Sequence, residues 1–264
     1  MADTTVVFDD GQAYEHFMGR WSRALGALFL DWLAPPKGAR WLEIGCGTGA
    51  FTQVLLDTSE PASVAAIDPA AAQIEYARTR LQDTRVDLRV ADAQHIPFPD
   101  GVFDLVASGL VINFIPDCAR ALAEMRRVCR PHGCVAGYVW DFAGERSSGW
   151  PLRLGFRKIG FEPPPIPGLE DTGRGALHHL LARAGLHDID TSAIEVTLRF
   201  ASFDEYWRSQ TPAFTPQGMI VAKLTDADRL RLRQAVRDAL PTDPDGGISY
   251  AARANAVKAV IPRD

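Results

Sequence analysis

Three glycines at alternate positions, Gly45, Gly47 and Gly49, follow an acid, Glu43, at the end of an apolar run that begins at Trp41. That spacing makes a tight turn whose backbone lies directly against a ligand, because glycine takes the required angles without a steric cost. Two more acids stand downstream, Asp68 after the apolar run 62–67 and Asp92 after the run 86–90. A carboxylate in the position of Asp68 accepts both hydroxyls of a ribose in a bidentate manner. An acid two residues before the first glycine faces the place where a pyrophosphate would lie, and repels it. The same acid suits a nucleoside ligand that has no phosphate and carries a positive charge.

The elements that position these groups are a buried strand, a glycine turn and a helix whose apolar side is Phe51, Val54, Leu55 and Leu56. Such a unit opens a nucleotide-binding α/β sheet. Gly45, Gly47 and Ala50 also satisfy the looser form of the dinucleotide pattern G-x-G-x-x-G/A, so an NAD- or FAD-dependent oxidoreductase stands as the alternative. Asp68 serves either class, and it is also placed to cap the helix expected over 70–81. Glu43 favours the cationic ligand, of which S-adenosylmethionine (SAM), with its sulfonium and ammonium groups, is one, and the dinucleotide fold predicts neither Glu43 nor Asp92. Cys46, inside the turn, reads as a small filler rather than a nucleophile.

The run E-x-G-C-G-T-G at 43–49 resembles motif I of the class I SAM-dependent methyltransferases, and A-D-A-Q-H-I-P-F-P-D-G-V-F-D at 91–104 resembles a second motif of that superfamily. The likeness extends over nearly the whole chain, towards the methyltransferase type 11 or ubiquinone/menaquinone methyltransferase-like subgroup. It is vaguest over 142–173. His132 stands where the R-V-L-x-P-G-G turn of the family has its first glycine. The resemblance implies a Rossmann-like α/β fold: a seven-stranded, mostly parallel sheet with helices on both faces, the last strand antiparallel, and a cap insertion. It implies SAM as cofactor, S-adenosylhomocysteine as product, and methyl transfer to an oxygen, nitrogen or carbon of a small molecule. A protein that binds SAM for sensing or for other chemistry remains open beside it.

By the same resemblance, Glu43, Gly45, Cys46, Gly47, Asp68 and Pro69 border the cofactor. Gln73 reaches the adenine edge, Asp92 accepts the adenine amino group, and the Ala93 N–H meets a ring nitrogen. Ser108 and the backbone after it border the methionine chain. Tyr14 and Arg20, in an N-terminal helical lid over 12–34, close over the cofactor, or else simply pack through Phe17, Trp21, Leu25, Leu28, Phe29, Trp32 and Leu33. Asn113 and Phe114 point to the transferred methyl or its acceptor, or else pack a loop. Residues 142–173, rich in Gly, Ser and Pro, read as a cap over the acceptor pocket that offers Trp150, Leu154, Phe156 and Phe161, or as a mobile loop. Trp21, Phe114, Trp140 and Phe156 suit a small, mostly apolar acceptor. The candidate bases are His16, Tyr14 and Asp141.

Composition narrows the partners. The 264 residues suit one large α/β domain, and a net charge of −5 without a basic cluster disfavours nucleic acid. No apolar run reaches membrane-spanning length, and the start reads as polar rather than as a signal peptide. The four cysteines lack metal or C-x-x-C spacing and read as reduced thiols of a cytoplasmic protein. Adjacent His178 and His179 cannot face one site on a helix, so no metal is expected. Nothing in the sequence sets the oligomeric state.

Overall fold

The computed structural model describes residues 15–263, with His16 and Phe17 described by backbone alone. Seven strands form one sheet in the order β3-β2-β1-β4-β5-β7-β6. They are β1 (Arg40–Ile44), β2 (Ser63–Asp68), β3 (Val86–Val90), β4 (Phe103–Gly109), β5 (Cys129–Trp140), β6 (His187–Phe200) and β7 (Ile248–Val260). β1 to β5 pair in parallel, and β7 enters antiparallel between β5 and β6. This is the expected α/β architecture. Alternation predicts a strand over 189–200 and the Gly246-Gly247 turn predicts one over 248–260; they are β6, begun two residues earlier, and β7.

Side-chain alternation along each strand builds two cores. Trp41, Leu105, Tyr138 and Ala254 point to one face, under α1 (Arg20–Leu33) and α2 (Ala50–Thr58). The same core continues under α5 (Trp150–Lys158), α7 (Phe203–Gln210), α8 (Pro216–Lys223) and α9 (Asp226–Arg237). Leu42, Ile44, Val106, Val135 and Val257 point to the other face, under α4 (Cys118–Val128) and α6 (Arg174–Arg183). The remaining helix, α3 (Ala71–Arg80), follows β2.

Local chemistry sets several boundaries. Ser202 caps α7 by accepting the Glu205 N–H, and Glu205 reaches back one residue beyond the cap to the Ala201 N–H, a variant of the capping box. The lid is a π-helical turn (Glu15–Gly19) running into α1, which buries Trp21, Leu25, Gly26 and Phe29; Leu28, expected on the packed side, is exposed. The Pro131-His132-Gly133 stop predicts that the fifth strand starts at Cys134, but it starts at Cys129. Cys129 already pairs with Phe103, and the Pro131-His132-Gly133 stretch is an irregularity inside the strand, with His132 in the left-handed region at φ 61°.

The 142–173 segment is built, not a bare connection. It holds α5, an extended proline strap over 161–167, and a short turn (Leu169–Thr172). Gly155 lets α5 approach α9; a Cβ there would lie 2.6 Å from Val236 and 3.0 Å from Leu232.

Candidate active site

The glycine turn is stitched to the end of β2 by its own amides. Gly45 N–H and Cys46 N–H both donate to Ile67 O, at 2.7 and 3.0 Å, and Gly49 N–H donates to Cys46 O at 2.9 Å. Gly47 N–H donates to Asp68 Oδ2 at 2.9 Å. Asp68 Oδ1 meanwhile accepts the Ala70 N–H at 2.9 Å, so the acid organises the α3 entry as well. Gly45, Gly47 and Gly49 lie at φ 71°, 52° and 77°, the left-handed region that excludes most side chains. Gly45 has a second reason: a Cβ there would meet Val111 Cγ2 at 2.5 Å, so the segment after β4 packs directly on the turn.

Glu43 lies beneath the turn, 2% exposed, and Thr52 of α2 donates to its Oε2 at 2.6 Å. Burial drives its pKa up to about 7, the Thr52 bond works against the rise, and the nearby Asp68 charge adds to it. Asp68 is also raised, because its burial outweighs the two backbone hydrogen bonds. Cys46 is buried beside both acids and its thiol is held well above the ordinary value, which makes it inert at neutral pH, as a filler would be.

The third acid sits on the rim. Asp92 is exposed, and Gln94 Nε2 donates to both of its oxygens, at 3.0 Å each. An amide NH2 thus occupies the acceptor positions assigned to an adenine amino group. Ala93, next in the chain, is buried, as is Gln73 of α3. Pro69 lies between Asp68 and the α3 start.

At the end of β4, Ser108 stands in register with Ile44 of β1 and Gly137 of β5. Its Oγ is buried and without a hydrogen-bond partner among the described residues, as is Asn113 Oδ1. Leu110, between them, takes a left-handed φ of 62°, uncommon for a branched side chain and consistent with a backbone bent to meet a ligand. Asn113 Nδ2 donates to Pro167 O at 3.0 Å, so the proline strap sits on this segment. Phe114 is 46% exposed at the same edge.

The fit to a phosphate-free adenosyl ligand is physical. A dinucleotide site leaves the amides of its glycine turn free for pyrophosphate. Here Ile67 O, Cys46 O and the Asp68 carboxylate consume the amides of Gly45, Cys46, Gly47 and Gly49. What remains is a glycine-walled cradle, the buried carboxylate of Glu43, the half-buried one of Asp68 and an unsatisfied Ser108 hydroxyl, which suit a sugar, an ammonium and a sulfonium.

Other expectations are placed differently. Tyr14 lies outside the described residues, as does the side chain of His16. Arg20 turns away from the glycine turn; it donates to Arg199 O at 2.7 Å and to Glu205 at 3.0 Å, and its guanidinium lies over Phe200. The lid residue that reaches the turn is Glu15, which the sequence reading passed over. Its carboxylate accepts from Thr48 Oγ1 at 3.0 Å and from Arg80 at 2.7 Å, and it pairs with Arg23.

Asp141 borders a cleft of about 330 Å³ beside Gly144, Gly173, Arg174, Arg253 and Asn255. Its oxygens are committed, Oδ1 to the Gly144 N–H at 2.9 Å and Oδ2 to Arg253 at 2.5 and 2.7 Å, so it fixes a turn and a strand and is corrected from free base to structural anchor. Phe156, 0% exposed, is likewise a core residue under α5 rather than a pocket wall. Trp140 ends β5 with its ring 5.7 Å from that of Trp21, edge to face.

Comparison with known proteins agrees with this geometry. A methyltransferase domain family matches residues 42–137. The malonyl-[acyl-carrier protein] O-methyltransferase of Geobacter sulfurreducens is 40% identical over 115 residues, covering 43% of this chain and 42% of that protein. The ubiquinone/menaquinone biosynthesis C-methyltransferase of Cupriavidus pinatubonensis is 34% identical over 164 residues, 60% of this chain and 65% of that one. The chain spans about half the length of the first curated relatives it matches, and 65% of the second one named. In fold, it resembles a Haemonchus contortus phosphoethanolamine N-methyltransferase solved with S-adenosylhomocysteine. That match has a TM-score of 0.60 at 19% identity and covers 99% of this chain and 59% of the other. With motif I, the sheet order and the matched domain in agreement, the chain carries a class I SAM-dependent methyltransferase domain, built on residues 42–137.

Proposed function

We propose that the chain transfers a methyl group from SAM to an oxygen, nitrogen or carbon atom of a small-molecule acceptor. The observation that carries this reading is the use of four of the turn's amides, those of Gly45, Cys46, Gly47 and Gly49, by Ile67, Asp68 and Cys46, while two carboxylates stay beneath and beside the turn.

SAM supplies a methyl group already activated by positive sulfur, so the protein's work is placement. The remaining lone pairs of Asp68 accept the ribose hydroxyls. Asp92 accepts the adenine amino group once Gln94 yields, and Gln73, Pro69 and the Ala93 N–H border the base. Glu43, in its ionised form, offsets positive charge from below. Gly45, Cys46 and Gly47 give the close backbone approach, and Ser108 meets the methionine chain. Asn113 and Phe114, at the end of β4, and Trp140, at the end of β5, border the acceptor. No base is assigned to Asp141, whose oxygens are taken. The lid over 12–34 and the cap over 142–173 exclude water from the space between them.

The partner proposed is a small molecule and not nucleic acid, in the cytoplasm, where the four unpaired thiols stay reduced. Among the described residues no helix is long and apolar enough to cross a membrane.

Titration calorimetry with SAM, S-adenosylhomocysteine and NAD tests the reading. Micromolar binding of both adenosyl compounds without NAD binding supports it. NAD binding without a SAM signal returns the dinucleotide alternative.

A further inference from the structure

The cap brings a second polar site to the same edge of the sheet. Beyond β5 the chain reaches Ser147-Ser148-Gly149-Trp150, the entry of α5. Tyr250 of β7 donates its hydroxyl to Ser147 O at 3.1 Å, and Tyr206 of α7 donates to Ser148 O at 3.4 Å. Gly149 holds the N-cap position without a side-chain cap. A Cβ on it would lie 3.4 Å from Gln210 Oε1 and 3.7 Å from Gln217 Oε1, so polar groups of α7 and α8 close around the start of α5.

Arg153 stands in the first turn of α5, 7% exposed. Its Nη1 donates to Pro164 O at 2.7 Å, and its guanidinium faces the Trp150 ring at 5.7 Å. Burial lowers its pKa, the charge of Arg157 lowers it further, and Glu162 offsets only part. Arg153 Nε has no hydrogen-bond partner among the described residues, and neither have Ser147 Oγ and Gln210 Oε1. A buried guanidinium with an unused edge is costly, and an apolar side chain would pack there at less cost. The unused Nε lies, with its neighbouring Nη2, on the side of the fork that grips a carboxylate or phosphate with two parallel bonds. The positive end of α5 favours the same charge.

The strap ties this cluster to the methyl-delivery end of β4. Arg153 holds Pro164 O, and Asn113 holds Pro167 O. Three residues of extended chain span about 10 Å, the length of a small acceptor. We propose that the Nε edge of Arg153, with Ser147 and the N-terminal turn of α5, binds an oxyanion, a carboxylate or a phosphate, carried by the methyl acceptor. This assignment rests on the methyl-transfer reading for the identity of the ligand and on the cap geometry for the site.

The test is a binding measurement on the full chain. The protein is saturated with S-adenosylhomocysteine and titrated with benzoate, with phenyl phosphate and with neutral benzamide, following the arginine Nε–Hε cross-peaks. The expected result is that an anion moves one cross-peak, absent from Arg153→Lys, while benzamide leaves it in place. Arg153→Lys, which keeps the charge and loses the fork, weakens anion binding about tenfold or more in a chain that stays folded and still binds S-adenosylhomocysteine. Ser147→Ala weakens it less. Tighter benzoate binding assigns a carboxylate, and tighter phenyl phosphate binding assigns a phosphate. An equal shift with benzamide, wild-type affinity in Arg153→Lys, or no shift with either anion overturns the proposal. The S-adenosylhomocysteine titration is read first. Its failure overturns the methyl-transfer reading alone, since the anion titrations are repeated on the unloaded chain and judge the site separately.

Discussion

Asp68 takes the Gly47 N–H on one oxygen and the Ala70 N–H on the other, each at 2.9 Å, so one carboxylate fixes the glycine turn and the start of α3 together. Asp68→Ala removes both bonds and the ribose acceptor in one step. The expected loss is about 2 kcal/mol of stability and roughly 100-fold in SAM affinity, read by denaturant melts and calorimetry. Asp68→Asn, with one carbonyl oxygen left, falls between. Wild-type affinity in the alanine variant would remove Asp68 from the cofactor site.

Glu43 makes the free chain sensitive to pH. Its folded value, about 7, lies above the ordinary 4.5, so the folded chain retains a proton that the unfolded chain releases between those values. The stability due to that proton is complete below about 4.5 and is lost as pH rises through about 7, a difference of up to about 3 kcal/mol. Glu43→Gln, neutral throughout, flattens the stability profile across this window. The cationic ligand favours the ionised acid, so SAM affinity in the wild type rises over the same interval. Melts at pH 5 and pH 8 of both forms, with calorimetry alongside, decide it; parallel profiles for the two proteins count against it.

The contact between Gly45 and Val111 offers a two-step test of the turn. Gly45→Ala meets both a left-handed φ and the Val111 methyl groups, and is expected to cost about 2–4 kcal/mol. Val111→Ala in the same chain removes the steric part and recovers roughly half of the loss. Full recovery would mean that the backbone angle carries no cost. No recovery would mean that the segment after β4 does not press on the turn.

Glu15 latches the lid to the turn through Thr48, Arg80 and Arg23. Burial raises its pKa, yet the Arg23 hydrogen bond and the charges of Arg80 and Arg23 outweigh that and hold it below the ordinary value. The latch therefore contributes above the unfolded carboxylate value and is lost as pH falls through the lower folded one. Glu15→Gln is expected to weaken the lid by about 1 kcal/mol, speed proteolysis within 15–33 and weaken SAM binding several-fold. Unchanged cleavage kinetics would show that the lid is held by Trp21 and Phe29 instead.

How far the residues disclosed this arrangement follows from where each signal resides. Glu43, the glycines and Asp68 lie within one strand–turn–helix–strand unit, so their local order already implies their geometry, and the acids fall at the ends of β1 and β2 as read. β6 was legible because its alternation is local, and β7 because the Gly246-Gly247 turn stands directly before it. Glu15 and Arg153 carry no local signal. Glu15 meets Arg80 only after the lid folds across the sheet, and Arg153 meets Pro164 O only when α5 and the 161–167 strap pack together. Asp141 looked like a free acid because Arg253, its partner, lies on a strand more than a hundred positions later. Arg20 was placed by likeness to the subgroup, while here Glu205 and Arg199 claim it. The expectation of a mostly apolar acceptor came from counting aromatic residues, and the unsatisfied guanidinium of Arg153 was invisible to that count.

The entry of β7 between β5 and β6 has a consequence for assembly of the chain. β6 leaves the ribosome several dozen residues before β7 and cannot pair with β5, because the place between them belongs to a strand not yet made. The nucleoside half of the sheet, β1 to β5, is complete in sequence long before the acceptor half has its central strand. Vectorial synthesis therefore leaves the edge of β5 exposed for a period in which another strand edge can capture it. Chaperone demand during translation should be concentrated in that interval, after residue 140 and before residue 260 has emerged.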